Sequence, residues 1–532
     1  MNQDTSAPLS DFSLELFHLP QHRNRNAPQL AILVARLMLA LFLLMLPRTL
    51  QAQYDYTTNA GAITITRYTG SDADLTIPST IAGLPVTILG DRSFNFVSAT
   101  NVTIPDSVLT VGDGAFFNCP NLASVKIGKA VTTIGNGALC GCPSLASVTL
   151  PQGMTTVGSG AFFECTGLTT ITIPDSVTAI GESAFYKCTS LTSVRLPEGI
   201  TTVEYQTFFL CWGLTNVSLP QSVTTIGESA FRNCESLTHC AFPNQIASIG
   251  DQAFDSCLGL TDISLPDGLT NVGDYAFYYC YALSNLTIPS MLTNIGVGAF
   301  AGCISQTAIT VNPENPVYSS WDGVLFNKDH TTLIQCPGGK AGDYVVPNTV
   351  TNIGAEAFIS CRDLTSLQLP SGVGSIGYSA FFFCTSLATI TIPDSVRSIG
   401  QFGFSFCYNL TSIFFGGNAP RTDLWVFSGS DRPTVYYLPG TTGWDSTYAG
   451  RPTAPWLPEA RVISAPLATE RNHLGFTISW ASGKQVVVEA STDLANPAWS
   501  PVSTNTIINE SSYFSDPQWT NSPSRFYRLH SL

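Results

Sequence analysis

Fifteen cysteines and six histidines are the side chains in this 532-residue sequence best suited to chemistry. A thiol can ligate zinc, close a disulfide or, as a thiolate, act as a nucleophile. Spacing decides among these. Twelve of the cysteines fall at 119, 142, 165, 188, 211, 234, 257, 280 and 303, then at 361, 384 and 407, in steps of 23 broken by one interval of 58. Paired zinc ligands have two to four residues between them and distant partners, and Cys140-Gly-Cys142 lacks both. Equivalent residues of stacked parallel strands lie about 4.8 Å apart with parallel side chains. A disulfide needs its Cβ atoms about 3.8 Å apart. The ladder therefore predicts one small buried slot per repeat, filled by a reduced thiol behaving as a small hydrophobe.

The other reactive groups are sparse. His239 is the only histidine in a regular repeat, and no acid or nucleophile is recognisable beside it. Zinc-protease, nucleophile-elbow and P-loop patterns are missing from the sequence. Gly135-x-Gly137 and Gly296-x-Gly298 recur with the repeat, so they are not nucleotide loops. The acids Asp113, Glu182, Glu228, Asp251 and Asp274 recur where a short helical turn would begin. A carboxylate there would cap free N–H groups, with calcium as the alternative. No catalytic residue, metal or cofactor is expected. Thirty-seven acids against 23 bases give a net charge of −14, which disfavours nucleic acid and anionic membranes.

The elements that position these residues follow from one repeat. Thr169-Thr-Ile-Thr-Ile-Pro-Asp-Ser-Val-Thr-Ala-Ile-Gly-Glu-Ser-Ala-Phe-Tyr-Lys-Cys-Thr-Ser-Leu191 is a clean unit. Leu168-x-x-Ile171-x-Ile173 alternates as a strand. Pro174-Asp175 turns the chain, Val177-x-x-Ile180 is a second extended piece, and Glu182–Phe185 reads as a short helical turn. One coil cannot bury enough surface to fold alone, so coils must stack. Phe116, Phe162, Phe185, Phe231, Phe254, Phe277, Phe300 and Phe381 occupy equivalent slots and are expected to stack inside.

The unit L-x-x-[IV]-x-[IL]-P…V-x-x-I-G-x-x-A-F-x-x-C resembles the BspA-like leucine-rich repeat family of bacterial surface proteins, over roughly residues 75–415. Asn315 to Asn327 also resembles an insertion common in that family. The resemblance implies a right-handed repeat solenoid with a parallel β-sheet, and surface recognition or adhesion as the activity of several members. It carries no ligand-binding residue.

Residues 1–52 read as a leader. Basic residues precede the apolar run Leu37 to Leu46, whose length suits a signal peptide. The solenoid is expected over 53–455, with an N-terminal cap, a widened coil near 305–345 bearing a hairpin, and a C-terminal cap from about 416. Residues 456–532 lack the repeat, alternate as short strands, and suggest a small antiparallel β-sandwich. Their ending, Arg525-Phe-Tyr-Arg-Leu529, resembles a terminal module of exported bacterial proteins.

Two surfaces are candidates for binding. Outward strand positions form a field of small polar groups, including Ser147, Thr149, Thr170, Thr172, Ser193, Asn216, Thr389 and Thr391, with Lys126, Arg195, His239 and Asp262 supplying charge or near-charge. The residue after the core phenylalanine is often aromatic, as at Phe117, Phe163, Tyr186, Phe209, Tyr278 and Phe382. Each surface has a plain structural explanation: β-favouring residues on a solvated sheet, or a second packing row. The functional expectation is an exported, non-enzymatic, monomeric protein, secreted or on the cell surface. It would bind a protein or glycan through Arg195, His239 and Asp262 or through Tyr186, Phe209 and Tyr278. It would bind no nucleic acid and insert no part of its mature chain into a membrane. The alternative is an envelope spacer attached through its C-terminal module.

Overall fold

Alternation of apolar and polar residues sets the strands, and the constant period sets their register. A computed structural model describes residues 53–438, 440–456, 461–464, 474–480, 483–508, 511–519 and 524–531. The leader expected over 1–52 lies outside the described residues. Of the described residues, 53–55 with 68–70 belong to one compact unit, and 56–67 with those from 71 onward to another. In the first, the Tyr54 and Tyr68 rings meet at 5.3 Å. The second carries the repeats.

Each repeat forms one coil with two short strands. The first strands, from Asp74–Thr76 to His239–Cys240, make an eight-stranded parallel sheet. From Asn101 onward partners are 23 residues apart: Val125 pairs with Val148, Val148 with Ile171, and Val194 with Val217; the first strand pairs at 27, Leu75 with Val102. Cys240 takes the same inward slot beside Val217. The second strands, such as Thr133–Ile134, Thr156–Val157 and Ala179–Ile180, pair in the same register. Every side chain thus meets its own counterpart one coil on. All eight phenylalanines named above are buried, together with Phe94, Phe208 and Phe358. Phe162, Phe185, Phe208 and Phe231 stack at 5.3–5.4 Å with nearly parallel rings.

The cysteine slot is more specific than a small hydrophobe requires. The Cys188 thiol donates to the carbonyl of Phe162 (3.2 Å), Cys211 to Phe185 (3.1 Å) and Cys234 to Phe208 (3.2 Å). Each of these carbonyls also accepts the N–H of the cysteine in its own coil, as Phe162 does from Cys165 (3.1 Å). In the last coil Ser430 takes the slot, and its hydroxyl donates to Phe404 (2.7 Å). The position selects a small donor aimed one coil back. Burial pushes the thiols of Cys165, Cys211, Cys303 and Cys407 up to about 12. All fifteen cysteines are free, and Cys140 alone is half-buried.

The expected helical turns are replaced by another device. Residues 182–187 form linked turns, with Ser183 and Lys187 both left-handed (φ 56° and 57°). Their N–H groups, with that of Phe185, reach the carbonyls of Tyr205, Phe209 and Thr207 in the next coil at 2.7–2.9 Å. A helix would have kept those groups within the coil. The aspartates among the acids expected as caps bond between coils: the Asp113 carboxylate accepts the N–H of Asn136 (2.7 Å), Asp251 that of Asp274 (2.8 Å) and Asp274 that of Val297 (2.7 Å). No three potential metal-ligating side chains converge among the described residues.

The 58-residue interval is a widened coil. Tyr318–Trp321 and Val324–Asn327 form a hairpin around Asp322-Gly323. Thr332–Gln335 then rejoins the second-strand sheet beside Asn352–Ile353. Only six residues lead on to Gly342–Val345, against twelve between Ile134 and Ser147. The full turn is missing here, and tyrosines fill its place. Gly298 and Gly302, both left-handed, let Tyr275 and Tyr279 cross their coil; a Cβ at Gly302 would run into the Tyr279 ring. The Tyr275 hydroxyl donates to Oε1 of Glu356 (3.1 Å). Glu356 is 3% exposed, and its Oε2 has no hydrogen-bond partner among the described residues.

Parallel pairing continues from Gly342–Val345 through Thr434–Tyr437 to Arg451–Pro455. Beyond it, Arg461–Ser464, Leu474–Ser479 and Ser511–Asp516 form one antiparallel sheet. Gln485–Ser491, Ser500–Thr506 and Phe526–Ser531 form a second. Phe476, Ile478, Trp480, Val486, Val488, Ile507 and Phe514 build a common core. The two terminal arginines serve this module: Arg525 pairs with buried Asp516 and Arg528 with Glu489, both at 2.7 Å.

Two outcomes follow. Thiol-reactive probes should label Cys140 ahead of the ladder cysteines in native protein, and the remainder only on denaturation; a mass map with Cys165–Cys188 disulfides would overturn the reduced ladder. The second concerns Glu356, whose carboxyl burial pushes up to about 7. The folded state therefore holds that proton more tightly than the unfolded chain, whose glutamates titrate near about 4.3. Its contribution is full below about 4.3 and lost as pH rises towards about 7, a change on the order of 3 kcal/mol. Glu356→Gln should flatten this part of the stability profile in denaturant titrations; identical profiles for both proteins would exclude an uncharged Glu356.

Candidate functional site

The strand face is built by alternation. Inward Val148, Ile171, Val194 and Val217 leave Ser147, Thr149, Thr170, Thr172, Ser193 and Asn216 pointing out and exposed. The row beside it is already engaged: the hydroxyls of Thr192, Thr215, Thr238 and Thr261 each donate to a carbonyl one coil back at 3.0–3.3 Å. In the second stretch the same face deepens into a concavity of about 740 Å³ that includes Gln368, Thr389, Thr391, Asp394 and Trp456.

The three charged candidates are exposed but unequally placed. His239 and Asp262 are bridged neighbours, with Nδ1 and Oδ1 3.5 Å apart. Arg195 lies two coils earlier and turns aside to Asp175, bonding its carboxylate at 2.7 Å. Asn216 is the registered neighbour of His239 on its other side. A histidine–aspartate pair flanked by an amide can bind polar groups; the hydroxyl in register with it, Ser193, lies two coils from His239, beyond Asn216.

The aromatic candidates form a packed row. Phe163 and Tyr186 stack at 4.3 Å and 3°, and Tyr186 and Phe209 at 5.1 Å and 9°. The Arg232 guanidinium lies 5.7 Å from the Phe209 ring and pairs with Asp255 (2.9 Å). Tyr186 and Phe209 are therefore together. Arg232 and Asp255 separate them from Tyr278, which packs on Tyr279 at 4.0 Å by the widened coil. Tyr186, Phe209 and Tyr278 are half-buried, and stacking occupies ring faces that a ligand would need.

A third feature was not singled out from sequence. On the turn edge, the residues preceding the ladder cysteines form a left-handed row: Asn118, Gly141, Glu164 and Lys187, extended at its start by Phe96. With Pro120, Pro143 and Thr166 they line a groove of about 480 Å³. Its signal in the sequence was a deficit of side chains: Cys140 stands where the adjoining coils carry Phe117 and Phe163, and Gly141 where they carry Asn118 and Glu164.

The likenesses to known proteins agree with this architecture. The chain matches the BspA type leucine rich repeat region (6 copies) over residues 87–214, 203–320 and 340–442. A leucine-rich repeat protein from Bacteroides ovatus is 27% identical over 72% of this chain and 92% of its own, with a TM-score of 0.51. A leucine rich cell surface protein from Faecalibacterium prausnitzii is 27% identical over 72% of this chain and 93% of its own, with a TM-score of 0.39. The T. pallidum leucine rich repeat protein is 33% identical over 35% of this chain and 88% of its own, with a TM-score of 0.34. No curated protein matches the chain. From its period, its registered coils and the extent of the family match, the chain belongs to the BspA type leucine-rich repeat family.

Proposed function

We propose that this is an exported, non-enzymatic recognition protein, monomeric and secreted or held at the cell surface, which binds a protein or glycan through the strand face of its coils. One observation carries the reading: alternate side chains of coil after coil leave the sheet in a common register and remain exposed, whereas the aromatic row is consumed by its own stacking. A regular field of hydroxyls and amides, with Arg195 and Asp262 as charges and the His239 imidazole beside Asp262, suits many weak contacts over several coils. Export is supported by the basic residues and apolar run before Leu46. Among the described residues no helix is long and apolar enough to cross a membrane.

The test begins with a pull-down and a glycan array on the full chain. With a ligand in hand, replacing Arg195, His239 and Asp262 together by alanine should weaken binding by about tenfold, or ~1.4 kcal/mol, and leave the melting temperature unchanged. Replacing Tyr186 and Phe209 should instead lower the melting temperature. Retained affinity in the charge variant, together with its loss on deleting residues 459–532, would transfer the function to the C-terminal module and favour the attached-spacer alternative.

A further inference from the structure

The turn-edge groove lies outside both surfaces considered above. Its floor exists because the coil Gly135-Asn-Gly-Ala-Leu-Cys-Gly-Cys142 carries the smallest side chains of its neighbourhood. A Cβ at Gly141 would run into the Asn118 carboxamide. Phe96 closes one end. It is 64% exposed and meets Phe117 edge to face (6.0 Å, 88°), so its ring is not covered as those of Tyr186 and Phe209 are. At the other end Glu164 and Lys187 pair at 2.8 Å, and both remain partly exposed.

These groups define the ligand's chemistry. The ion pair is neutralised internally, so a charged ligand would have to break it. Glu164 and Lys187 still offer both an acceptor and donors, and Asn118 and Thr166 add an amide and a hydroxyl. The ring and the two prolines supply apolar surface. A ligand with one apolar face and several hydroxyls satisfies all of these, since weakly positive C–H bonds of a sugar face suit the negative face of an aromatic ring. An extended peptide fits less well. The backbone N–H groups along this edge, from Phe96, Asn118, Gly141, Glu164 and Lys187, are all bonded to the next coil. None is left for strand pairing. The volume lies within the usual range of small-molecule sites, about 300–1,000 Å³, and five coils at about 4.8 Å per step give a length for several sugar units.

We propose that the groove binds a neutral oligosaccharide, with Phe96 as the platform and Asn118, Glu164, Thr166 and Lys187 as partners for its hydroxyls. This deepens the recognition role proposed above but does not depend on the strand face.

The test is a printed array of neutral, sialylated and sulfated glycans probed with the full chain, followed by calorimetric titration of the best binder. A neutral oligosaccharide should bind. Phe96→Ala should weaken it by about tenfold, and Thr166→Trp, which fills the groove, should abolish it, with both variants melting as the parent does. Selection of acidic glycans only, no glycan binding, or full affinity in both variants would overturn the proposal. A proline-rich peptide bound in a Phe96-dependent way would also overturn it. If a neutral glycan binds but is lost only in the Arg195, His239 and Asp262 variant, the groove is excluded and the strand-face reading stands.

Discussion

The carbonyl of the core phenylalanine is the point on which each coil depends. It lies in the interior, where an acceptor left unpaired costs roughly 1–3 kcal/mol. It takes the N–H of the cysteine three residues on and, from the next coil, a thiol. The same two residues thus close a turn within one coil and fasten it to its neighbour. A common coil length repeats that geometry, in keeping with a period held at 23 residues through nine successive cysteines; the first thiol, Cys119, still reaches the Phe94 carbonyl across a coil one residue shorter. An inserted residue would move thiol, carbonyl and ring stack together.

Much of this was legible in the sequence because it is carried by residue type at fixed spacing. Val, Ile and Leu at alternate positions declare strands, and Phe and Cys declare the interior. The turn was not legible. Left-handed positions ordinarily reveal themselves through glycine or asparagine, yet here Glu164, Lys187, Leu210 and Phe383 occupy one such row. Their strained backbone is held by hydrogen bonds to the following coil, formed whatever the side chain. A local rule for capping a helix therefore met a geometry decided between coils. The acids show the same thing: Asp113 and Asp274 do serve backbone N–H groups, but those of the next coil.

The candidate surfaces were legible as rows of residue types but not as exposed or used surface. Composition placed Tyr186, Phe209 and Tyr278 in a single stripe. Whether a ring face is free depends on its neighbour one coil away, and Arg232 and Asp255 interrupt the row while Phe163 covers Tyr186. The turn-edge groove escaped for the opposite reason. It is made by what one coil lacks, and a missing side chain between Asn118 and Glu164 is visible only when the coils are stacked.

The widened coil shows what the period protects. Inserted chain can leave as a hairpin because Thr332–Gln335 re-enters in register with Asn352–Ile353. The cost appears in the polar groups that the break buries. Asn315 satisfies its amide fully, on two carbonyls and two N–H groups. Gln335 spans the shortened turn to reach the carbonyl of Glu356 (3.4 Å). Among the described residues the Glu356 carboxyl finds only the Tyr275 hydroxyl, across a coil whose glycines leave room for that ring. In the regular coils the buried polar side chains are mostly small hydroxyls, with Asp255 paired to Arg232, because each coil already pairs the backbone of the next. Where that pairing fails, polar side chains must replace it one by one, and burial pushes the pKa of a carboxyl that lacks a second partner up to about 7.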